Sequence, residues 1–547
     1  MADDVTFHDP DPTVAELLAS RPYLDMDPLC GLMLDGVALN AIAEQVGTPC
    51  WVLSGDTLRA RMHRMRQAMQ DAGLNASIHY AVKANDHLAV LSLLREEGFG
   101  ADIVSGGELA RALKAGIPAS HIVFSGVGKS DAELEKAIGL GIGQINVESA
   151  EELDIISGIA CALGKTATVT LRVNPDVDAK THAKITTGLA ANKFGIPYDD
   201  AAALYARAAS LPGIRAAGFS THIGSQILSV APYRAAYARI ADLVRTVRAA
   251  GQTVDVVDCG GGLGISYRTK PEGQPEALAG AIRAELGDLG VRLAIEPGRW
   301  PVGPSGLLLS TVILNKARGE EAPFLVLDAA MNDLLRPSMY DAWHGIVPLS
   351  PHDAALPAGP AHVVGPVCET GDTFARDRQL PPMQRGARVA LLDTGAYGAV
   401  MSSTYNSRPL AAEVLVDKGA WSIIRQRQPL EALWQEETVP SHLPERHDPG
   451  GSETGSGLLH RRGRLSGGPA GNRPTARGLC AAHRTALACA PAHAGAAGRV
   501  WHCGPPTPAT ASAGRAAACA GGRVAQPVRL AAASGPFKPE SPLGGRH

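Results

Sequence analysis

No apolar run in this chain of 547 residues reaches the roughly 20 residues needed to cross a bilayer. The opening MADDVTFHDP lacks both the basic start and the apolar stretch of an export signal, so a cytoplasmic protein with no membrane contact is expected. An excess of one charge is also missing. Lysine and arginine total 51 against 54 aspartates and glutamates, a formal net charge of -3. That balance provides no basic field to hold nucleic acid, and it leaves small polar metabolites as the natural ligand class. The nine cysteines, at 30, 50, 161, 259, 368, 480, 489, 503 and 519, include no CxxC pair. No metal or dithiol site is expected, and most read as plain thiols of a reducing compartment.

What the chain does have is length for two cores and a clear alternation of apolar runs with helical patterns up to about residue 437. After about residue 445 that grammar gives way to Ala, Gly, Arg, His and Pro-rich text beginning PGGSETGSGLLHRRGRLSGGPAGNRP. Such composition predicts disorder or weak local helix. RRGR is locally basic, but no aromatic residues interleave it to favour a nucleic-acid arm. The change of register also fits a shifted reading frame or run-on translation.

Eight short apolar runs precede residue 300: SIHYAVKA, ADIVS, HIVFSG, QINVES, TVTLRVN, IRAAGFSTHIG, VDVVDCGGG and VRLAIEPGR. Stretches of helical length separate most of them, which predicts repeated βα units closing into an α/β (β/α)8 barrel. A doubly wound sheet would place its glycine fingerprint after the first strand, whereas the richest glycine cluster here follows the seventh run. In DTLRARMHRMRQAMQDAG, Leu58, Met62, Met65 and Met69 recur at helical spacing and predict one face packed on the barrel, with Ser54 or Asp56 as cap. Beyond residue 305, LLLSTVILNKA, FLVLDAA, HVVGPVC, RVALLDTGAY and AAEVLVDKG read as strands of a second, β-rich domain of sandwich or barrel-like form. GLMLDGVAL reads as an early strand joining it. The expected organisation is an N-terminal segment 1–50, a barrel 51–305, a β domain 306–437 and a tail 438–547.

Catalytic groups of such barrels gather at the carboxyl ends of the strands. Lys83 ends the first run, and apolar surroundings would tune its amine to condense with an aldehyde, although a lysine there also fits a solubilising charge. Gly260, Gly261 and Gly262 follow run seven, and Glu296-Pro297-Gly298-Arg299 follows run eight, the two loops between which barrels often bind phosphate. Glu296 offers a carboxylate for a pyridine nitrogen, or a plain salt bridge to Arg299. His222 and Ser225 in STHIGSQ suit ring stacking and phosphate donation, or simple packing.

HYAVKAN, ADIVSGGEL, INVESAEEL, HIGSQI, DCGGGLG, EPGR, GPVCETGD and GAYG, in that order, resemble the diaminopimelate decarboxylases. These stand within the fold-type III pyridoxal phosphate family, alongside ornithine and arginine decarboxylases and the related alanine racemases. The resemblance spans residues 30–435. It implies pyridoxal 5'-phosphate as cofactor, meso-2,6-diaminopimelate as substrate, and a homodimer with shared active sites. On this resemblance Lys83 is the lysine that holds the cofactor covalently, His222 stacks on its ring, and Ser225 with Gly260, Gly261 and Gly262 meets its phosphate. Glu296 pairs with the ring nitrogen, Gly298 and Arg299 complete that loop, and Asp102, Arg172 and Tyr397 support the cofactor. Arg299 and Tyr397 also reach substrate. Arg336 and Tyr340 in LLRPSMYDAWH would hold the distal carboxylate, for which arginine offers a two-pronged grip. Glu369 would meet the distal ammonium and Cys368 would donate a proton, both across the dimer. Other readings are decarboxylation of ornithine, arginine or carboxynorspermidine, and a noncatalytic cofactor carrier or regulatory protein.

Overall fold

The computed structural model describes residues 10–179, 187 and 192–443. The tail reading therefore lies outside the described residues from 444 onward. The chain divides into two units, one of them spanning residues 437–516, of which the described residues 437–443 form no helix or strand. All that follows lies within the other.

Eight parallel strands form the barrel: Ala76–Ala81, Gly100–Ile103, Ile122–Phe124, Gln144–Val147, Ala167–Asn174, Ile214–Ser220, Val256–Asp258 and Arg292–Ile295. They pair in chain order, and the eighth closes on the first through Leu293–Ala76, Ala294–Ser77 and Ile295–Ile78. Every expected run is a strand. Because all eight run the same way, their carboxyl ends open on one face, and the loops there can converge.

The helix Gly55–Asp71 comes before the first strand and packs against both Leu88–Glu96 and Pro275–Leu286, filling the last place in the outer ring. Its methionine face explains the docking: Leu58, Met62, Met65 and Met69 are all buried in the barrel cluster. Of the two cap candidates Ser54 acts, its hydroxyl accepting the Thr57 N–H at 2.8 Å. Asp56 instead pairs with Arg59 and accepts the Lys418 N–H.

The second domain is a mixed sheet of nine strands, built around the long strand Gly306–Arg318. That strand pairs antiparallel with Glu321–Leu327, Arg388–Leu391 and Cys50–Ser54. The last of these falls in the stretch read as the start of the barrel, yet it lies between Gly306–Arg318 and Ala412–Asp417 in the second sheet. Every residue of CWVLS is buried, which suits a central strand covered on both faces and not a loop leading into a helix. Thr373–Leu380 and Ala420–Arg425 also form strands unread in the sequence; in the first, TFARDRQL, three consecutive charges at its centre mask the apolar pattern. GLMLDGVAL forms part of a separate three-stranded sheet, tied to the second domain by a bond from Leu32 N–H to Leu349 O and by a shared apolar core. Among the described residues, no helix is long and apolar enough to cross a membrane, and no cluster of His, Cys, Asp or Glu suits a metal ion.

Candidate active site

The first barrel strand ends at Ala81, and a single turn Val82–Ala84 swings Lys83 over the barrel mouth. Its Nζ lies 3.0 Å from Oδ2 of Asp102, a fully buried residue near the end of the second strand. The lysine side chain keeps 37% of its surface open, so the amine faces a mouth and not a sealed core. Loss of bulk water pulls its pKa down, but Asp102, with Tyr397 and Glu296, outweighs this and holds it above the usual lysine range. The expected apolar surroundings are thus corrected: one carboxylate binds the amine and a second stands within electrostatic reach, because the two strands flanking the first carry acids near or just past their carboxyl ends.

Glu296 directly follows the eighth strand, is buried, and accepts a hydrogen bond from Asn146 Nδ2 at 3.1 Å. Burial lifts its pKa well above the carboxylate range, and Asp102 and Asp258 push the same way against Lys83 and Arg172. A carboxyl so lifted is matched to share a proton with a ring nitrogen.

The glycine turn is a cradle that side chains would fill. A Cβ on Gly260 would meet Thr221 O at 2.1 Å, one on Gly261 would meet Glu296 O at 2.0 Å, and one on Gly262 would meet Gly224 O at 2.2 Å. Gly260 and Gly262 also have φ of +67° and +103°, which favour glycine. The Gly261 N–H donates to His222 Nδ1 at 3.1 Å. That bond leaves the ring proton on Nε2, and burial with Arg172 and Lys83 nearby drives the His222 pKa well down, so the imidazole is neutral.

Arg172 is fixed by Glu148 at 2.6 Å. Arg299 donates to Ser225 Oγ at 3.1 Å and to the Tyr267 hydroxyl at 2.6 Å, and its guanidinium lies over the Tyr397 ring. Gly298 lets this loop pass close to Ala81, Ala84 and Tyr397. Tyr397 is itself held at φ +56°, with its N–H on Ala84 O. Arg336 opens the short helix Arg336–Tyr340, lies over the Tyr267 ring, and donates to His344 Nε2 at 3.1 Å. Tyr340 ends that helix within electrostatic reach of Arg299. Tyr267 and His344 were not singled out in the sequence; the first lies three residues past DCGGGLG and the second closes LLRPSMYDAWH, which is the only signal they carry.

Cys368 and Glu369 lie apart from this group. Both are exposed, Cys368 N–H donates to Asn406 Oδ1, and Glu369 accepts from the Tyr405 hydroxyl. Among the described residues neither is bonded to Lys83, Arg299 or Arg336.

The mouth fits an aldehyde cofactor bearing a phosphate and a ring nitrogen. Buried polar atoms await partners there, namely Asp102 Oδ1, Arg299 Nε, Ser220 Oγ and Thr221 Oγ1, and each normally requires one. The family described as "Pyridoxal-dependent decarboxylase, pyridoxal binding domain" matches residues 55–303, which begin with the helix Gly55–Asp71. The diaminopimelate decarboxylase of Zymomonas mobilis is 45% identical over 409 residues, 74% of this chain and 96% of that protein. The Helicobacter pylori diaminopimelate decarboxylase, solved in complex with L-lysine, is 39% identical with a TM-score of 0.70, covering 73% of this chain and 98% of that one. The M. jannaschii enzyme, also solved with L-lysine, is 34% identical with a TM-score of 0.73, covering 78% and 100%. With a cofactor mouth of this geometry and relatives matched along nearly their whole length, the chain belongs to the diaminopimelate decarboxylase family of pyridoxal-dependent decarboxylases.

Proposed function

We propose that this protein removes the α-carboxylate of meso-2,6-diaminopimelate with pyridoxal 5'-phosphate, yielding L-lysine and carbon dioxide as the last step of lysine biosynthesis in the cytoplasm. One observation carries the reading: Lys83, Asp102, Glu296, His222 and the glycine turn share one barrel mouth with two buried arginines that have no acidic partner among the described residues.

The cofactor, when bound, supplies an electron sink for the pair left by departing carbon dioxide. Lys83 would hold it covalently, and its amine is kept in place by Asp102. Glu296 would hold a proton at the ring nitrogen, His222 would cover one ring face as a neutral imidazole, and Gly260, Gly261 and Gly262 with Ser225 would receive the phosphate. Arg172, Gly298 and Tyr397 would close the ring's surroundings. Arg299 and Arg336, with Tyr340, would grip the distal carboxylate, since two guanidiniums within 5 Å of the Tyr267 and Tyr397 rings form a buried cationic pocket. The exposure of Cys368 and Glu369 supports a homodimer in which a neighbouring subunit's pair completes each site: the thiol to protonate the α-carbon, the carboxylate to meet the distal ammonium.

The test is turnover by purified, cofactor-loaded protein, with carbon dioxide counted and product chirality measured. Meso-diaminopimelate should be preferred over ornithine, arginine and carboxynorspermidine, and Lys83→Ala should lose turnover. No preference among the four substrates would reject the assignment.

A further inference from the structure

We infer that Asn146 is a positioning residue: an inward-facing amide in the barrel core that anchors Glu296 toward the cofactor's ring nitrogen and ties it, through Gln144 and Asp258, to the glycine turn. The inference rests on the reading of Glu296 given above.

Gln144 and Asn146 are alternate residues of the fourth barrel strand, so their side chains share one face, and both are buried, at 8% and 2% exposure. Barrel interiors are normally filled with branched apolar groups, so a polar layer there costs stability unless every member is paired. Here the pairing runs in one direction. Asp258 accepts from Gln144 Nε2 at 3.0 Å, which turns the amide NH2 of Gln144 toward it. The same NH2 donates to Asn146 Oδ1 at 2.7 Å, and the Thr170 hydroxyl donates to that oxygen too. With its oxygen so occupied, Asn146 must present Nδ2 on the opposite side, where it donates to Ser125 Oγ at 2.9 Å and to Glu296 Oε1 at 3.1 Å. At the far end, Asp258 accepts the Gly260 N–H at 3.0 Å, and Gly260 O in turn accepts the Glu296 N–H at 2.8 Å. The layer therefore closes a loop through both elements that face the cofactor. A filler residue would end on itself or on its own strand; this one ends on Glu296 and on the phosphate turn.

Asn146→Asp keeps the shape and removes the donor. In cofactor-loaded protein we expect pyridoxal phosphate to dissociate roughly tenfold to a hundredfold more readily, as loss of a hydrogen bond to a charged group dictates. The absorption band of the bound cofactor should shift with pH differently from the parent. The kcat should fall while KM stays within about twofold, because Asn146 does not touch substrate. Glu296→Gln is the companion variant. If it weakens cofactor binding and alters the spectrum while Asn146→Asp, folded by circular dichroism, matches the parent in all three readouts, the inference fails and the reading of Glu296 survives. If both match the parent, the reading of Glu296 fails and takes the inference with it. Should Asn146→Asp not fold, Ser125→Ala decides by removing the other side chain that anchors Glu296 Oε1. A shift in the same direction with weaker binding supports the anchor, and an unchanged spectrum and affinity overturn it.

Discussion

Arg336 and Arg299 are 5% and 6% exposed, and among the described residues neither has an acidic partner. Burying an unpaired cation is costly, and the cost falls when an anion arrives. His344 shapes this pocket without neutralising it. Its Nδ1 donates to Leu392 O, its Nε2 accepts from Arg336, and burial beside that arginine keeps it neutral. Replacing Arg336 with methionine should raise KM for meso-diaminopimelate roughly tenfold to a hundredfold while lowering kcat less, as steady-state kinetics would show. Glu108 gives a prediction of another kind. Burial lifts its pKa to about 7, although it accepts the Val104 N–H at 2.8 Å and Lys83 opposes the rise. A carboxyl raised in the folded state contributes stability fully present below its unfolded pKa, and that contribution is lost as pH climbs through about 7. Glu108→Gln retains the acceptor and removes the buried charge. It should therefore be more stable than the parent to urea at pH 8, by on the order of 1 kcal/mol, with the gap closing toward pH 5.

Elements carry their own consequences. The helix Gly55–Asp71 presents an apolar stripe visible in its spacing, and Met62 at its centre is fully buried. Met62→Ala should cost about 2–5 kcal/mol in chemical unfolding, since the barrel wall can only partly close on the cavity. The glycine turn gives a sharper case, because a Cβ on Gly261 would sit 2.0 Å from a backbone oxygen of the next loop. Gly261→Ala must push the turn from Glu296, and titration with pyridoxal phosphate should show affinity at least about tenfold weaker. The helix stripe, the turn and the eight barrel strands were legible because each is a local pattern. Cys50–Ser54 was not, since a five-residue apolar run reads alike at the start of one domain and in the middle of another. Thr373–Leu380 was missed for the reverse reason: its sheet bonds hold a strand whose three consecutive charges, Arg376, Asp377 and Arg378, break the apolar alternation, and only the fold shows that Arg378 turns inward.

At the scale of the whole molecule, Cys368 and Glu369 are exposed in one chain, while the mouth with Lys83 lies in the barrel. If the homodimer shares its sites as proposed, Lys83→Ala and Cys368→Ala proteins should each be nearly inactive alone. Unfolded together and refolded as a mixture, they should recover about a quarter of the parent's turnover, because half the dimers would then hold one intact site of two. No recovery, with reassortment confirmed by tags of different mass, would place both residues in one subunit's site.

The sequence by itself determined the βα repeat, the amphipathic helix faces and the glycine turn, together with the motifs that mark the family. These are written in neighbouring residues, where periodicity and backbone freedom act. Only the tertiary structure decided that Lys83 meets a carboxylate instead of apolar walls, that Asn146 reaches Glu296, and that Tyr267 and His344 flank the two arginines. Asn146 and Glu296 stand 150 residues apart on strands that only the closed barrel sets facing each other, and only the packing of the second domain brings Arg336 and His344 beside Tyr267.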